Sequence, residues 1–188
     1  MKHALRQKIV KVARNLFQKK GFDAVGMRDI AQALGLQPTQ VYRLELTKTD
    51  ILAEVIIELN YELIDTLPAV LDTVHGGTAL ERTCDYLLAL YQFDIRFQQL
   101  RSVGAVHGWS WTGTYEAAVI EQVWQLLAPI AGWLQDDGFD DIPARCYAIW
   151  ALYYTGYRRA VTKGGNAEEC LAEIRPSLKV LFRSVPTQ

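Results

Sequence analysis

Gln37, Thr39, Gln40 and Arg43 stand together in one short polar stretch, and their side chains match what base edges offer in a duplex groove. Glutamine pairs with adenine, arginine with guanine, and threonine offers its methyl group to thymine's. Beside them, Tyr42 carries a hydroxyl and Lys48 an ammonium, both suited to phosphate oxygens. Taken singly, each is an ordinary surface residue, and Tyr42 would serve equally as a half-buried core ring. They read a duplex only if one helix turns them outward together.

The flanking residues predict that helix and its support. Leu5, Ile9, Val12, Ala13, Leu16 and Phe17 recur every three or four positions, with Lys8, Lys11, Arg14 and Lys19 off the stripe, which predicts an amphipathic first helix. Lys19, Lys20 and Gly21 suit its carboxyl end, where cations meet the negative pole and glycine takes a left-handed turn. Met27, Ile30, Ala31 and Leu34 predict a short second helix ending at Gly35. After the turn Gly35-Leu36-Gln37, Pro38 opens a third helix at the position where a missing N–H costs least, with Val41 facing back toward Ile30 and Leu34. Thr47-Lys48-Thr49-Asp50 reads as a capping box before the long stripe Ile51, Leu52, Val55, Ile56, Leu59 and Leu63. Lys48 then stands beside the free N–H groups of a helix start, a favourable place for a phosphate. Two short helices across a tight turn have the spacing of a helix-turn-helix.

The run Ile9, Ala13, Phe17, Gly21, Arg28-Asp29-Ile30-Ala31, Leu34-Gly35, Tyr42 and Lys48 resembles the DNA-binding head of the TetR family of bacterial transcriptional regulators. The resemblance implies an all-α homodimer whose larger carboxyl-terminal domain binds a small effector. It also implies phosphate contacts by Tyr42 and Lys48, a backbone contact near Arg28, and base reading by Gln37, Thr39, Gln40 and Arg43. Two departures stand out: Leu44 and Glu45 follow Arg43 where the family has a histidine and an apolar residue, and Val25-Gly26 replaces a capping Thr or Ser. Leu44 or Leu46 is expected to fill the apolar position, with Glu45 turned to solvent.

Charge is divided unevenly. Residues 1–50 hold ten Lys or Arg against four Asp or Glu, whereas the other 138 hold ten against seventeen. A basic end on an acidic body fits a protein that meets a polyanion at one end only. Half of the 188 residues are apolar, ample for a core, and the longest unbroken apolar run, Cys146 to Tyr154, falls far short of the roughly 18 residues that span a bilayer. Residues 1–8 lack the apolar core of a secretory signal, so a soluble cytoplasmic protein without membrane partner is expected. Cys84, Cys146 and Cys170 are odd in number and far apart, which predicts buried free thiols. No triad order, carboxylate–histidine metal set or glycine-rich phosphate loop is present, so no catalytic residue, metal ligand or cofactor is assigned and an enzyme is not expected.

Beyond residue 66, glycine-rich breaks at His75-Gly76-Gly77, 108–113, Asp136-Asp137-Gly138 and Lys163-Gly164-Gly165-Asn166 predict helices near 79–93, 95–106, 115–135, 142–162 and 167–184. Pro129 should kink or split the third of these. The fourth is apolar on nearly all sides, which predicts two buried faces, one of them against a second copy. Tyr91, Phe97, Arg101, His107, Trp109, Trp111, Tyr115, Trp124 and Tyr154 supply aromatic walls and a few polar groups for an effector pocket, although such rings serve equally in cores or dimer contacts.

The expected architecture is therefore all-α, about nine helices, with a three-helix helix-turn-helix head at residues 1–47 and an effector-binding and dimerisation domain at 48–188. The expected function is repression from a palindromic operator, relieved by a small-molecule effector. The alternative is a helical small-molecule-binding or interaction protein whose head does not bind DNA specifically.

Overall fold

An apolar residue every three or four positions curls into a helix because only that period brings its members to one face. The chain follows this rule nine times among its described residues, and no strand occurs among them. The computed structural model describes residues 2–75 and 77–183, without the side chains of Lys2 and Tyr42. The helices are α1 (Lys2–Lys20), α2 (Met27–Ala33), α3 (Pro38–Tyr42), α4 (Lys48–Leu71), α5 (Ala79–Ile95), α6 (Gln98–Gly108), α7 (Thr114–Asp136), α8 (Ile142–Lys163) and α9 (Ala167–Leu181). The expected breaks all separate helices, Gly76 and the expected last-helix residue Ser184 lying outside the described residues.

The chain forms two compact units, Met1–Glu62 with Gln99–Ile120, and Leu63–Gln98 with Glu121–Gln188. In the first, Ile9, Val10, Ala13 and Phe17 of α1 are buried together with Ile30, Ala31, Val41, Leu46 and the α4 residues Ile51, Leu52, Val55 and Leu59. Two ion pairs fasten α1 to α4. Arg6 Nε donates to both carboxylate oxygens of Glu54 at 2.7 and 2.8 Å, and Arg14 is paired with Glu62, its Nη2 donating at 2.9 Å. Both pairs join partners 48 positions apart, so the two helices run side by side in the same direction. On α6, Gly104 leaves room for Ile56, whose Cδ1 would lie 2.7 Å from any added Cβ.

In the second unit the core is built from Leu87, Leu90, Leu126, Leu127, Ile130, Leu134, Ile149, Ile174 and Leu178. Three aromatic rings stack through it: Trp150 on Tyr153 at 5.4 Å and Tyr153 on Tyr91 at 4.3 Å. All three cysteines are buried and free. Burial pushes the Cys84, Cys146 and Cys170 thiols up, keeping them protonated and inert.

One local expectation narrows. α7 runs unbroken through Pro129 rather than splitting. The carbonyl that Pro129 deprives of its partner belongs to Gln125, an exposed residue, so the loss does not fall in the core. By length and composition α7 is the one helix among those described that could cross a membrane, yet Leu126, Leu127, Ile130 and Leu134 pack into the core. On α8 one stripe is buried within the chain: Cys146, Ile149, Tyr153, Gly156, Tyr157 and Ala160 turn inward, while Tyr147 and Tyr154 stay exposed at 72% and 46%.

Candidate nucleic-acid interface

Backbone capping shapes the turn between α2 and α3. Gly35 takes φ +66°, its N–H donates to the Gln32 carbonyl at 3.0 Å, and the Leu36 N–H reaches back to Ala31 at 2.9 Å. This paired closure needs a left-handed residue, which glycine adopts without a Cβ penalty. Pro38 then starts α3 from an extended Gln37. Val41 is wholly buried and anchors the helix, so the other side is left to solvent.

On that side Gln37, Thr39, Gln40 and Arg43 are all exposed, as their spacing predicts. Gln40 has a further bond that its spacing alone did not reveal: its Oε1 accepts the Gln37 N–H at 2.9 Å. Tyr42 closes α3, and its side chain, expected on a phosphate, lies outside the described residues. Arg28 is exposed in the first turn of α2, whose amino end is held by Asp29 accepting the Gly26 N–H at 2.7 Å. The residue that replaces a capping Thr or Ser is thus capped from the other direction.

Beyond α3, Glu45 is exposed in a left-handed conformation at φ +57°, and Leu46 rather than Leu44 is the buried plug. The expected box opens α4: Thr47 Oγ1 accepts the Asp50 N–H at 3.1 Å, and Asp50 accepts the Thr47 N–H at 2.8 Å. Lys48 is half-buried and its ammonium is already engaged. It donates to the Phe22 carbonyl at 3.0 Å and lies 4.1 Å over the Phe22 ring. Phe22 in turn meets Phe17 at 5.1 Å and His107 at 5.0 Å. One Lys48 N–H is therefore structural, leaving the other two for an anion.

Pairing also redistributes the basic charge. Glu54 and Glu62 neutralise Arg6 and Arg14, and these hydrogen bonds raise both guanidinium pKa values still further. Among the described side chains the exposed Lys and Arg of the head are Lys8, Lys11, Lys19, Lys20, Arg28 and Arg43.

Residues 9–55 match the model of the bacterial regulatory proteins, tetR family. This quarter of the chain is thus similar to the tetR family. Solved structures extend the likeness to the whole fold. A transcriptional regulator from Rhodococcus sp. Rha1 is similar at 15% identity, covering 96% of this chain and 99% of that one, with TM-score 0.69. FadR from Bacillus subtilis, solved with stearoyl-CoA, is similar at 16% identity over 95% and 98% of the two chains, TM-score 0.66. Thermus thermophilus FadR, described as a TetR-family repressor and solved with lauroyl-CoA, is similar at 18% identity over 97% and 98%, TM-score 0.62. No curated protein matches the sequence. Along nearly its whole length the chain has the fold of these solved TetR-type regulators.

The residues expected to line an effector pocket are distributed over both compact units. In the first, Arg101 is bonded to Asn60, His107 packs on Phe22, and Trp111 lies near Gly108. Tyr115 Oη accepts from Arg6 at 3.0 Å, whereas Trp109 is 95% exposed. In the second, Tyr91 is fully buried and donates to the Tyr153 carbonyl at 2.9 Å, Phe97 lies 5.3 Å from Phe93, and Tyr154 meets Trp150 edge-on. Trp124, like Tyr154, is 46% exposed.

Proposed function

We propose that the protein is a homodimeric repressor that grips a palindromic operator through its two α3 helices and releases it when a small molecule binds the body. The observation that carries this reading is the free side of α3, where Gln37, Thr39, Gln40 and Arg43 are exposed together within the tetR-family segment. Residues 1–47 act as the DNA-binding domain, and residues 48–188 as the effector-binding and dimerisation domain. Tyr42, Lys48 and Arg28 hold phosphates, fixing position, while the α3 residues specify sequence.

A dimer is needed because one short helix reads too few bases, and two heads about 34 Å or a multiple apart read two half-sites. The exposed side of α8, with Tyr147, Ala151, Tyr154 and Val161 at spacings of four, three and seven, is an apolar stripe suited to a second copy. Effector release follows if the ligand prefers a separation of the heads that misfits the operator, since a ligand shifts an equilibrium only by its differential affinity. An amphiphilic effector is favoured, because two proteins of the same fold hold lauroyl-CoA and stearoyl-CoA. The protein acts in the cytoplasm, where its operator is.

Gel retardation with DNA upstream of the protein's own gene tests the reading. Retardation that weakens steeply with salt and is reversed by an acyl-CoA is expected. Absence of binding to any such fragment at low salt overturns it. Ligand binding without DNA binding would identify the alternative, a helical binding protein with an inert head, which Glu45 beside α3 and the engaged Lys48 favour.

A further inference from the structure

We infer that Gln40 reads the duplex through its amide N–H donors alone, and so selects guanine over adenine at its place in each half-site. This rests on the DNA-binding reading above. A glutamine recognises adenine by offering its oxygen to the N6 amino group and its nitrogen to N7 at the same time. In this structure the oxygen is committed elsewhere. Gln40 Oε1 accepts the Gln37 N–H at 2.9 Å, while the Gln40 N–H donates to the Gln37 carbonyl at 2.9 Å, closing the first turn of α3. The backbone N–H of Gln37 is a donor only, so the side-chain atom that meets it is the oxygen.

Two further facts support a lasting commitment. α3 spans Pro38–Tyr42, too short to hold itself by propensity, so its end closure matters. Docking into a groove would also strip water from the Gln37 N–H, and uncurling Gln40 would then leave that donor unpaired. With the oxygen bonded to the helix end and the residue exposed, the two amide hydrogens are what Gln40 has left to offer a groove.

The other helices show what is unusual here. The same reach-back closure occurs at the amino ends of α2, α4, α5 and α9, where the acceptors are Asp29, Asp50, Glu81 and Glu169. Each of those is a carboxylate. Among these closures α3 alone uses a neutral amide, and α3 is the helix proposed to approach phosphates and base edges. A carboxylate would close the turn equally well but would repel DNA and bring no donor. Amide N–H groups suit guanine, which presents O6 and N7 side by side as acceptors, whereas adenine sets an amino donor beside its N7.

Selection from a random duplex library by the full-length protein tests this. Wild type should enrich guanine at one symmetry-related position, with adenine there binding roughly tenfold more weakly. Gln40→Glu should keep the wild-type melting temperature, its carboxylate taking over the closure, and lose the guanine preference. Replacing that guanine by 7-deazaguanine should weaken wild type but not Gln40→Ala, a comparison that holds whatever the stability of Gln40→Glu. Adenine at the position governed by residue 40, or no position governed by it, overturns the inference while leaving DNA binding intact. Enrichment of no sequence by wild type overturns the DNA-binding reading and this inference together.

Discussion

The ammonium of Lys48, at the first turn of α4, donates to the main-chain carbonyl of Phe22 at 3.0 Å and rests 4.1 Å over that residue's ring. A lysine that only touched phosphates would cost nothing to remove from free protein. Here Lys48 also holds the connection between α1 and α2, through a charged hydrogen bond and a cation–π contact. Lys48→Ala should therefore lose about 1 kcal/mol, lowering the melting temperature by roughly 2–4 °C in a chain of this size. The same variant should bind all DNA sequences more weakly, with a salt slope reduced by about one. An unchanged melting temperature would reduce Lys48 to a surface contact.

Glu45 offers a separation of strain from charge. Its φ of +57° is strained for a residue with a Cβ, and its carboxylate lies exposed just past α3. Glu45→Gly should stabilise the protein by about 0.5–1 kcal/mol, the relief of strain exceeding the added chain entropy. Glu45→Gln keeps the strain and should leave stability unchanged. Both remove the negative charge, so both should tighten DNA binding at low salt and converge with wild type at high salt. Denaturant unfolding and gel retardation on the three proteins check the two effects independently.

Helix positions were legible because their signals are local. The stripe of α1, the glycine at 35, the proline at 38 and the Thr47–Asp50 box each act within one or two turns. Exposure of Gln37, Thr39, Gln40 and Arg43 followed from the same periodicity once Val41 was assigned inward. What stayed hidden depends on partners distant in sequence. Nothing near Arg6 or Arg14 points to Glu54 or Glu62, because the match appears only when α1 and α4 lie side by side. The engagement of Lys48 by Phe22 spans 26 positions and was equally invisible. For α8, an apolar surface on all sides did not reveal which stripe the chain itself would cover. The Gln40 closure is the exception: a residue three positions after the cap carries a local signal, masked here by a glutamine at the cap itself.

The ladder between α1 and α4 has one carboxylate too many. Glu58 lies one turn from both Glu54 and Glu62, and burial pushes its carboxyl pKa up, with Arg14 opposing and Glu62 and Glu54 adding to the rise. A folded-state pKa above the unfolded one means that the native state binds the proton more tightly. Ionised Glu58 therefore destabilises the fold above its folded-state pKa, and the penalty fades as pH falls toward the unfolded value. Glu58→Gln should raise the melting temperature at pH 7, and the advantage should vanish below about pH 4. Melting both proteins across that range checks the sign; an advantage that grows on acidification would contradict it.

Gly156 marks the tightest approach in the second unit. A Cβ there would lie 2.6 Å from the Cys170 carbonyl oxygen, which is backbone, and would collide with the Tyr91 hydroxyl. That hydroxyl donates to the Tyr153 carbonyl at 2.9 Å, and the Tyr91 ring stacks on Tyr153. Neither neighbour has a flexible end to yield, so α8 and α9 must separate or Tyr91 must abandon its bond. Gly156→Ala should cost about 3 kcal/mol, well beyond the helix-propensity gain of about 1 kcal/mol that alanine brings. Combining it with Tyr91→Phe separates the two clashes, since removing the hydroxyl relieves one and leaves the backbone contact. Partial recovery is expected in the double variant, measured by chemical denaturation. Full recovery would assign the whole effect to Tyr91, and a Gly156→Ala protein as stable as wild type would mean that α8 and α9 are not packed this closely.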